Sequence, residues 1–223
     1  MMKIKRSILQ FKELYFIPFE KKLSDFDSHL HNENKALFEE IRVTHKEYIT
    51  TISSPEMAMS LELANFLFAY CLKNKPAVLL DLGSGFSSYI FRLYKKYSKT
   101  PVIVSSVDDH DEWLKKTMDY LSEQNVSTDL LFNLDTFKEN AQANSYDLIL
   151  LDLNFVEKRK DFIEFSINLL KPTGMLIVDD VHKVEFLREV KEKAKKNNCK
   201  LFNIKNQTKD SFGRFSILLS KLK

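Results

Sequence analysis

From residue 77 onward, short continuous apolar runs alternate with stretches whose apolar positions recur every three to four residues. The runs are 77–82, 102–107, 130–134, 148–153 and 175–178. Helical spacing falls between and after them, at about 86–97, 111–124, 136–143, 158–170 and 184–197. A strand that is apolar at successive positions is buried on both faces, and strands separated by helices run parallel. The last two strand-like runs, 201–206 and 214–220, are joined only by a loop ending at Gly213. They predict an antiparallel hairpin at the sheet edge. The expected fold is α/β, a doubly wound seven-stranded sheet, mostly parallel.

The first 50 residues or so carry helical spacing and no strand-like run, with a break near Pro18. Ile4, Ile8, Phe11 and Leu14/Tyr15 share one face, which suits packing on the chain's own domain better than a membrane surface. Ser54-Pro55-Glu56 reads as a helix start, with Ser54 as cap, and that helix runs to about Leu72. The expected organisation is a helical extension or lid over 1–54 and one α/β domain over 55–223.

Composition changes this picture little. At 223 residues, 44% hydrophobic and 29% charged, the chain has enough material for one sizeable core. A net charge of +3 does not call for a nucleic acid partner. Cys71 and Cys199 are the only cysteines and show neither a disulfide framework nor zinc spacing, which points to a reducing, cytoplasmic setting. No apolar run reaches the length of a membrane span, and no secretory signal is read at the N-terminus.

Glycine carries more information, because there are only four. Gly83 and Gly85 stand together in Asp81-Leu82-Gly83-Ser84-Gly85, between the first apolar run and a helix. Such a turn lets backbone amides approach a nucleotide-like ligand closely. Acids then recur where strands end: Asp81, Asp108-Asp109, Asp135, Asp152 and Asp179-Asp180. Helix capping accounts for one or two of these but not for the row. Asp108, about 25 residues after Gly83, is placed to accept hydrogen bonds from ribose hydroxyls. The string G-S-G-F-S-S, with Phe86 and Ser88, departs from the dinucleotide fingerprint and weakens a nicotinamide cofactor.

At this point the chain resembles the class I S-adenosylmethionine-dependent methyltransferases, of the small-molecule type with Asp-Asp after strand five. The resemblance rests on V-L-L-D-L-G-S-G-F-S-S, S-V-D-D-H-D-E-W-L, Y-D-L-I-L-L-D, L-L-K-P-T-G-M-L-I-V-D-D-V-H and D-S-F-G-R-F-S-I-L-L, in that order over roughly 77–220. It implies a Rossmann-like fold and S-adenosylmethionine as cofactor. It implies that Asp81, Gly83, Ser84 and Gly85 hold the methionine part, Asp108 the ribose, and Asp109 and Asp135 the adenine edge. Asp152 would face the transferred methyl.

Methyl transfer from a sulfonium asks for alignment in a dry site, and for a base only when the nucleophile arrives protonated. His182 is the base candidate; the bland alternative is a loop histidine that caps the next helix. Some catechol-type relatives hold magnesium through an acid after strand four and a pair after strand five. Asp152, Asp179 and Asp180 are placed to imitate that. The function expected is methyl transfer to a small-molecule acceptor, oxygen first, with the N-terminal helices as a cover or a homodimer contact. The rivals are an aminopropyl transferase or NAD-dependent dehydrogenase on the same fold, a non-catalytic scaffold relative, and a nucleic-acid methyltransferase. The last is disfavoured because D-L-N-F, not an N-P-P-Y-type tetrad, follows strand four.

Overall fold

The computed structural model describes residues 32–221. The elements, in chain order, are α1 (Lys35–Thr51), α2 (Leu61–Asn74), β1 (Val78–Leu82), α3 (Phe86–Tyr97), β2 (Ile103–Asp108), α4 (Asp111–Glu123), β3 (Leu131–Asn133) and α5 (Leu134–Asn140). There follow β4 (Tyr146–Leu151), α6 (Val156–Arg159) with a 3₁₀ turn to Phe162, and α7 (Ile163–Leu169). The chain ends in β5 (Leu170–Val178), α8 (Val184–Lys196), β6 (Cys199–Asn203), α9 (Lys205–Thr208) and β7 (Ile217–Lys221).

The seven strands lie in the order β3-β2-β1-β4-β5-β7-β6. β1 pairs in parallel with both β2 and β4, so the strand order reverses beside it. The crevice outside the carboxyl ends of β1 and β4 is therefore the topological switch point, where open α/β sheets bind ligands. β7 is antiparallel to both neighbours and is inserted between β5 and β6. The expected antiparallel pair is thus present, with β6 as the outer strand.

Alternate strand residues face two separate cores. Leu79, Leu148, Leu150, Ile177 and Leu218 pack with α1 to α4. Leu80, Leu82, Ile149, Leu151, Leu176 and Ile217 pack with α5, α7 and α8. This explains the unbroken apolar runs: both faces of each central strand are covered. Asp81 falls on the same face as Leu79 and is fully buried there.

Two local expectations need correction. Ser54 does not start the next helix, because Ser60 does, its hydroxyl accepting from the Leu63 amide at 3.1 Å. Residues 54–59 form turns instead, held by Arg214, whose guanidinium donates to Glu56 O at 2.5 Å and Pro55 O at 3.0 Å. The long helix expected over 158–170 is broken into α6, the 3₁₀ turn and α7. The amphipathic face at Ile4 to Tyr15 lies outside the described residues. His45 Nε2 lies 2.8 Å from Met59 O, and its ring packs edge-on against Phe86.

Candidate active site

The glycine turn brings β1 against β4. Gly83 has φ +108°, and a Cβ there would lie 2.5 Å from the Asp152 carbonyl carbon and oxygen and 2.8 Å from Leu153 N. Only glycine permits that approach. The Asp152 amide donates to Leu82 O at 2.7 Å and the Asp179 amide to Leu151 O at 3.1 Å, so the sheet ladder carries both acids to the edge of the crevice.

Asp81 is enclosed by hydroxyls. Its Oδ2 accepts from Ser88 Oγ at 2.5 Å and Ser106 Oγ at 3.2 Å. Ser88 also accepts the Gly85 amide at 3.2 Å and so ties the acid to the turn. Behind Ser106 lies the buried Arg92, 2.8 Å from its hydroxyl. Asp81 Oδ1 is buried with no hydrogen-bond partner among the described residues. Burial pushes the Asp81 carboxyl up to about 7, against the pull of Ser88, Ser87, Arg92 and Ser106. A buried carboxylate with an unused oxygen fits an ammonium group, which supplies both charge and donors.

Asp108, at the end of β2, holds the middle of the turn. Its Oδ2 accepts the Ser84 amide at 2.8 Å and the Ser84 hydroxyl at 3.0 Å, and its Oδ1 accepts the His110 amide at 3.1 Å. Those three bonds leave room for a further donor on the carboxylate. Trp113 Nε1 donates to Ser84 O at 2.7 Å, so the lone tryptophan pins the glycine turn. Tyr48 from α1 closes the other side, its hydroxyl 3.0 Å from where a Gly85 Cβ would sit.

The remaining acids divide. Asp109 bonds Asn154 Nδ2 at 2.7 Å and the Lys158 ammonium, linking the end of β2 to the loop after β4. Asp135 stands apart: it lies in the first turn of α5, its side chain 89% exposed, 3.7 Å from Lys138. Asp152, Asp179, Asp180 and His182 come together at the ends of β4 and β5. His182 Nδ1 and Asp180 Oδ1 are 3.6 Å apart, and both atoms are buried without a hydrogen-bond partner among the described residues.

At the centre of this second group is Arg159, which the sequence reading passed over. Its guanidinium lies 2.7 Å from Asp152 Oδ1 and 3.2 Å from Asp180 Oδ2. Burial pushes the Asp152 carboxyl up, and Arg159 opposes it. The Asp179 carboxyl is also raised, by burial and by Asp180, while its Oδ1 accepts from Ser216 Oγ at 2.6 Å. The magnesium expected on Asp152, Asp179 and Asp180 does not fit these residues. A guanidinium already sits between two of the acids and the third is turned to Ser216. No group of three His, Cys, Asp or Glu among the described residues can hold a metal ion. Arg159 stands in V-E-K-R-K-D, which reads as a solvated charge run, and nothing in one sequence separates it from its neighbours.

A Rossmann-like sheet of this strand order, with an acid-and-glycine turn at the switch point, defines a methyltransferase scaffold. The family model for the methyltransferase domain matches residues 73–216, and the chain belongs to that family. It is a class I S-adenosylmethionine-dependent methyltransferase. Solved structures share the fold. An O-methyltransferase from Bacillus cereus in complex with SAH is 14% identical, with a TM-score of 0.60 over 84% of this chain and 91% of that one. The O-methyltransferase TomG from Streptomyces achromogenes, involved in tomaymycin synthesis and in complex with SAM, is 16% identical, with a TM-score of 0.57 over 98% of each chain. SAH-bound PaMTH1 from Podospora anserina is 12% identical, with a TM-score of 0.60 over 94% of this chain and 99% of that one. No curated protein matches this sequence. No helix among the described residues is long and apolar enough to cross a membrane.

Proposed function

We propose that this chain methylates an oxygen of a small-molecule acceptor, in the cytoplasm, with Asp81, Ser84 and Asp108 holding the cofactor and His182 taking the acceptor's proton. The observation that carries the reading is the division of the crevice. An unpartnered buried carboxylate oxygen lies on the β1 side and an Asp180–His182 pair on the β5 side. When bound, S-adenosylmethionine supplies a methyl group activated by its sulfonium. Asp81 offsets the ammonium of the methionine part, and the turn amides at 83–85 approach it closely. Asp108 accepts from the ribose hydroxyls through its remaining lone pairs. His182 Nδ1 is turned toward Asp180, which leaves Nε2 to receive the proton as the new carbon–oxygen bond forms. Phe155, 66% exposed in the loop after β4, gives the acceptor side an apolar wall. Tyr48 against Gly85 supports a covering role for α1, the described part of the expected extension. The two cysteines are buried and unpaired, in keeping with a reducing compartment.

The test is calorimetric titration of the full chain with S-adenosylhomocysteine, with NAD as control. A radiolabelled methyl-transfer screen against phenols, carboxylates and alcohols follows. Binding of S-adenosylhomocysteine that is lost in Asp108→Ala, and transfer that His182→Ala slows by about 10²–10⁴-fold, support the reading. Transfer confined to amines or carbon acids sinks the oxygen assignment. Binding of NAD in place of S-adenosylhomocysteine sinks the cofactor assignment.

A further inference from the structure

The acids beyond β4 and β5 enclose a cation that belongs to the chain itself. Arg159 is 3% exposed. Its Nε donates to Leu153 O at 3.3 Å, and its Nη1 to Asp179 O and to Asp180 Oδ2, both at 3.2 Å. Its Nη2 donates to Asp152 O at 3.1 Å and Asn154 O at 2.7 Å, and lies 2.7 Å from Asp152 Oδ1. These six oxygens come from the two loops that line the acceptor side. A hard divalent cation in this position would gather about six oxygens of the same kinds, carboxylate and carbonyl. The loops themselves bend around the guanidinium. Asn154 and Asp180 adopt left-handed φ of +54° and +59°, which aims the Asn154 carbonyl and the Asp180 carboxylate at Arg159.

The short helix α6 makes this placement by spending consecutive cations on different strands. Lys158 reaches Asp109 after β2, and Arg159 reaches Asp152 and Asp180 after β4 and β5. An arginine suits the second task because its planar fork satisfies several acceptors at once and keeps its proton when buried.

We propose that Arg159 stands in for a divalent cation at the strand-four and strand-five acids, so that this methyltransferase site is complete without metal. Arg159 is then a positioning residue: it fixes Asp180, whose other oxygen faces His182 Nδ1 at 3.6 Å. The inference concerns the acceptor half alone. It uses the methyltransferase reading only to say what His182 is positioned for.

The experiment is Mn²⁺ titration of the full chain by electron paramagnetic resonance, with thermal melting in Mn²⁺, Mg²⁺ or chelator, and S-adenosylhomocysteine affinity measured in the same three conditions. The wild-type chain is expected to take up no Mn²⁺ at millimolar concentration, with its melting temperature and its affinity unmoved. Arg159→Met keeps the apolar length and removes the charge. It is expected to take up Mn²⁺ and to gain a Mn²⁺-dependent rise in melting temperature that the double variant with Asp152→Asn lacks. A merely structural arginine would not create a metal site on removal. Stoichiometric Mn²⁺ on the wild type, lost in Asp180→Asn, overturns the proposal, and so does a folded Arg159→Met chain that takes up none. Should Arg159→Met fail to fold, the wild-type titration decides alone. Failure to bind S-adenosylhomocysteine, with Mn²⁺ also absent, defeats the cofactor reading and leaves the inference about Arg159 standing.

Discussion

The two sides of the crevice treat the same residue type in opposite ways. On the β1 side a buried carboxylate is surrounded by serine hydroxyls, and one of its oxygens is left without a donor. On the β4–β5 side Asp152 and Asp180 are met by a buried guanidinium from the same chain. The nearest cation on the first side, Arg92, stands behind Ser106 and acts on Asp81 through that hydroxyl. A carboxylate whose charge is internally matched is a structural part. One whose charge is left unmatched is stored demand for a cationic ligand. On the proposed function, the comparison separates the half of the site that would receive a charged cofactor from the half whose acids the chain itself partners.

The largest expected effect comes from breaking the seam between the halves. In Gly83→Val the new Cβ meets the backbone of Asp152 and Leu153, and the position needs a positive φ that valine resists. The strain and overpacking together amount to roughly 3–5 kcal/mol. Circular dichroism melts of the full chain are expected to show a fall of many degrees and calorimetry no binding of S-adenosylhomocysteine. A variant that melts like wild type would mean the two strand ends are not in contact.

Substituting one acid on each side sharpens the contrast. Asp81→Asn removes the charge that a cofactor ammonium would meet, so affinity for S-adenosylhomocysteine falls by on the order of 10²–10³. The same change relieves a fully buried acid, and at alkaline pH the free chain is expected to melt higher. Asp152→Asn takes a charge partner from the buried Arg159, a loss that opposes the relief of removing an acid whose carboxyl burial also raises. It is therefore expected to melt lower than Asp81→Asn at alkaline pH, with a smaller loss of affinity. Parallel melts and titrations of the two variants check this. The comparison fails if Asp152→Asn melts as high as Asp81→Asn or higher.

Sequence made the first half of this legible and hid most of the second. Strand runs, the glycine turn and the acids after each strand could be placed because they obey period, turn chemistry and topology, which are local or nearly so. The same logic missed Ser88 and Ser106 as partners of Asp81, since a serine in a strand or first turn has many uses. It offered no sign that the Trp113 indole nitrogen holds Ser84 O. Arg159 was lost for a physical reason. A charge run is solvated on most helices, and only the meeting of two distant loops, at 152–154 and 179–180, turns one member of it inward. Sequence also proposed a metal at the acids where the fold had supplied an arginine.

The smallest expected effect concerns protons. Burial holds the Asp81 carboxyl near 7, well above its ordinary 3.8. Its folded value is raised, so its contribution to stability is present in full below about pH 4 and is lost as pH rises through about 7. A cationic ligand needs the ionised form and pulls the equilibrium the other way. Affinity for S-adenosylhomocysteine is therefore expected to fall by about tenfold per pH unit below 7 and to level off above it. Near pH 6.5 binding must also release a proton, so the calorimetric heat is expected to depend on the buffer's ionisation enthalpy, roughly in proportion to the fraction protonated. Asp81→Asn provides the control, because a proton released by any other group would survive it. Heats that are independent of buffer, with affinity flat from about pH 6 to 8, would mean that Asp81 is already ionised in the free chain. The unmatched charge on the β1 side would then have to be balanced by Arg92 through Ser106, and the asymmetry between the two halves would disappear.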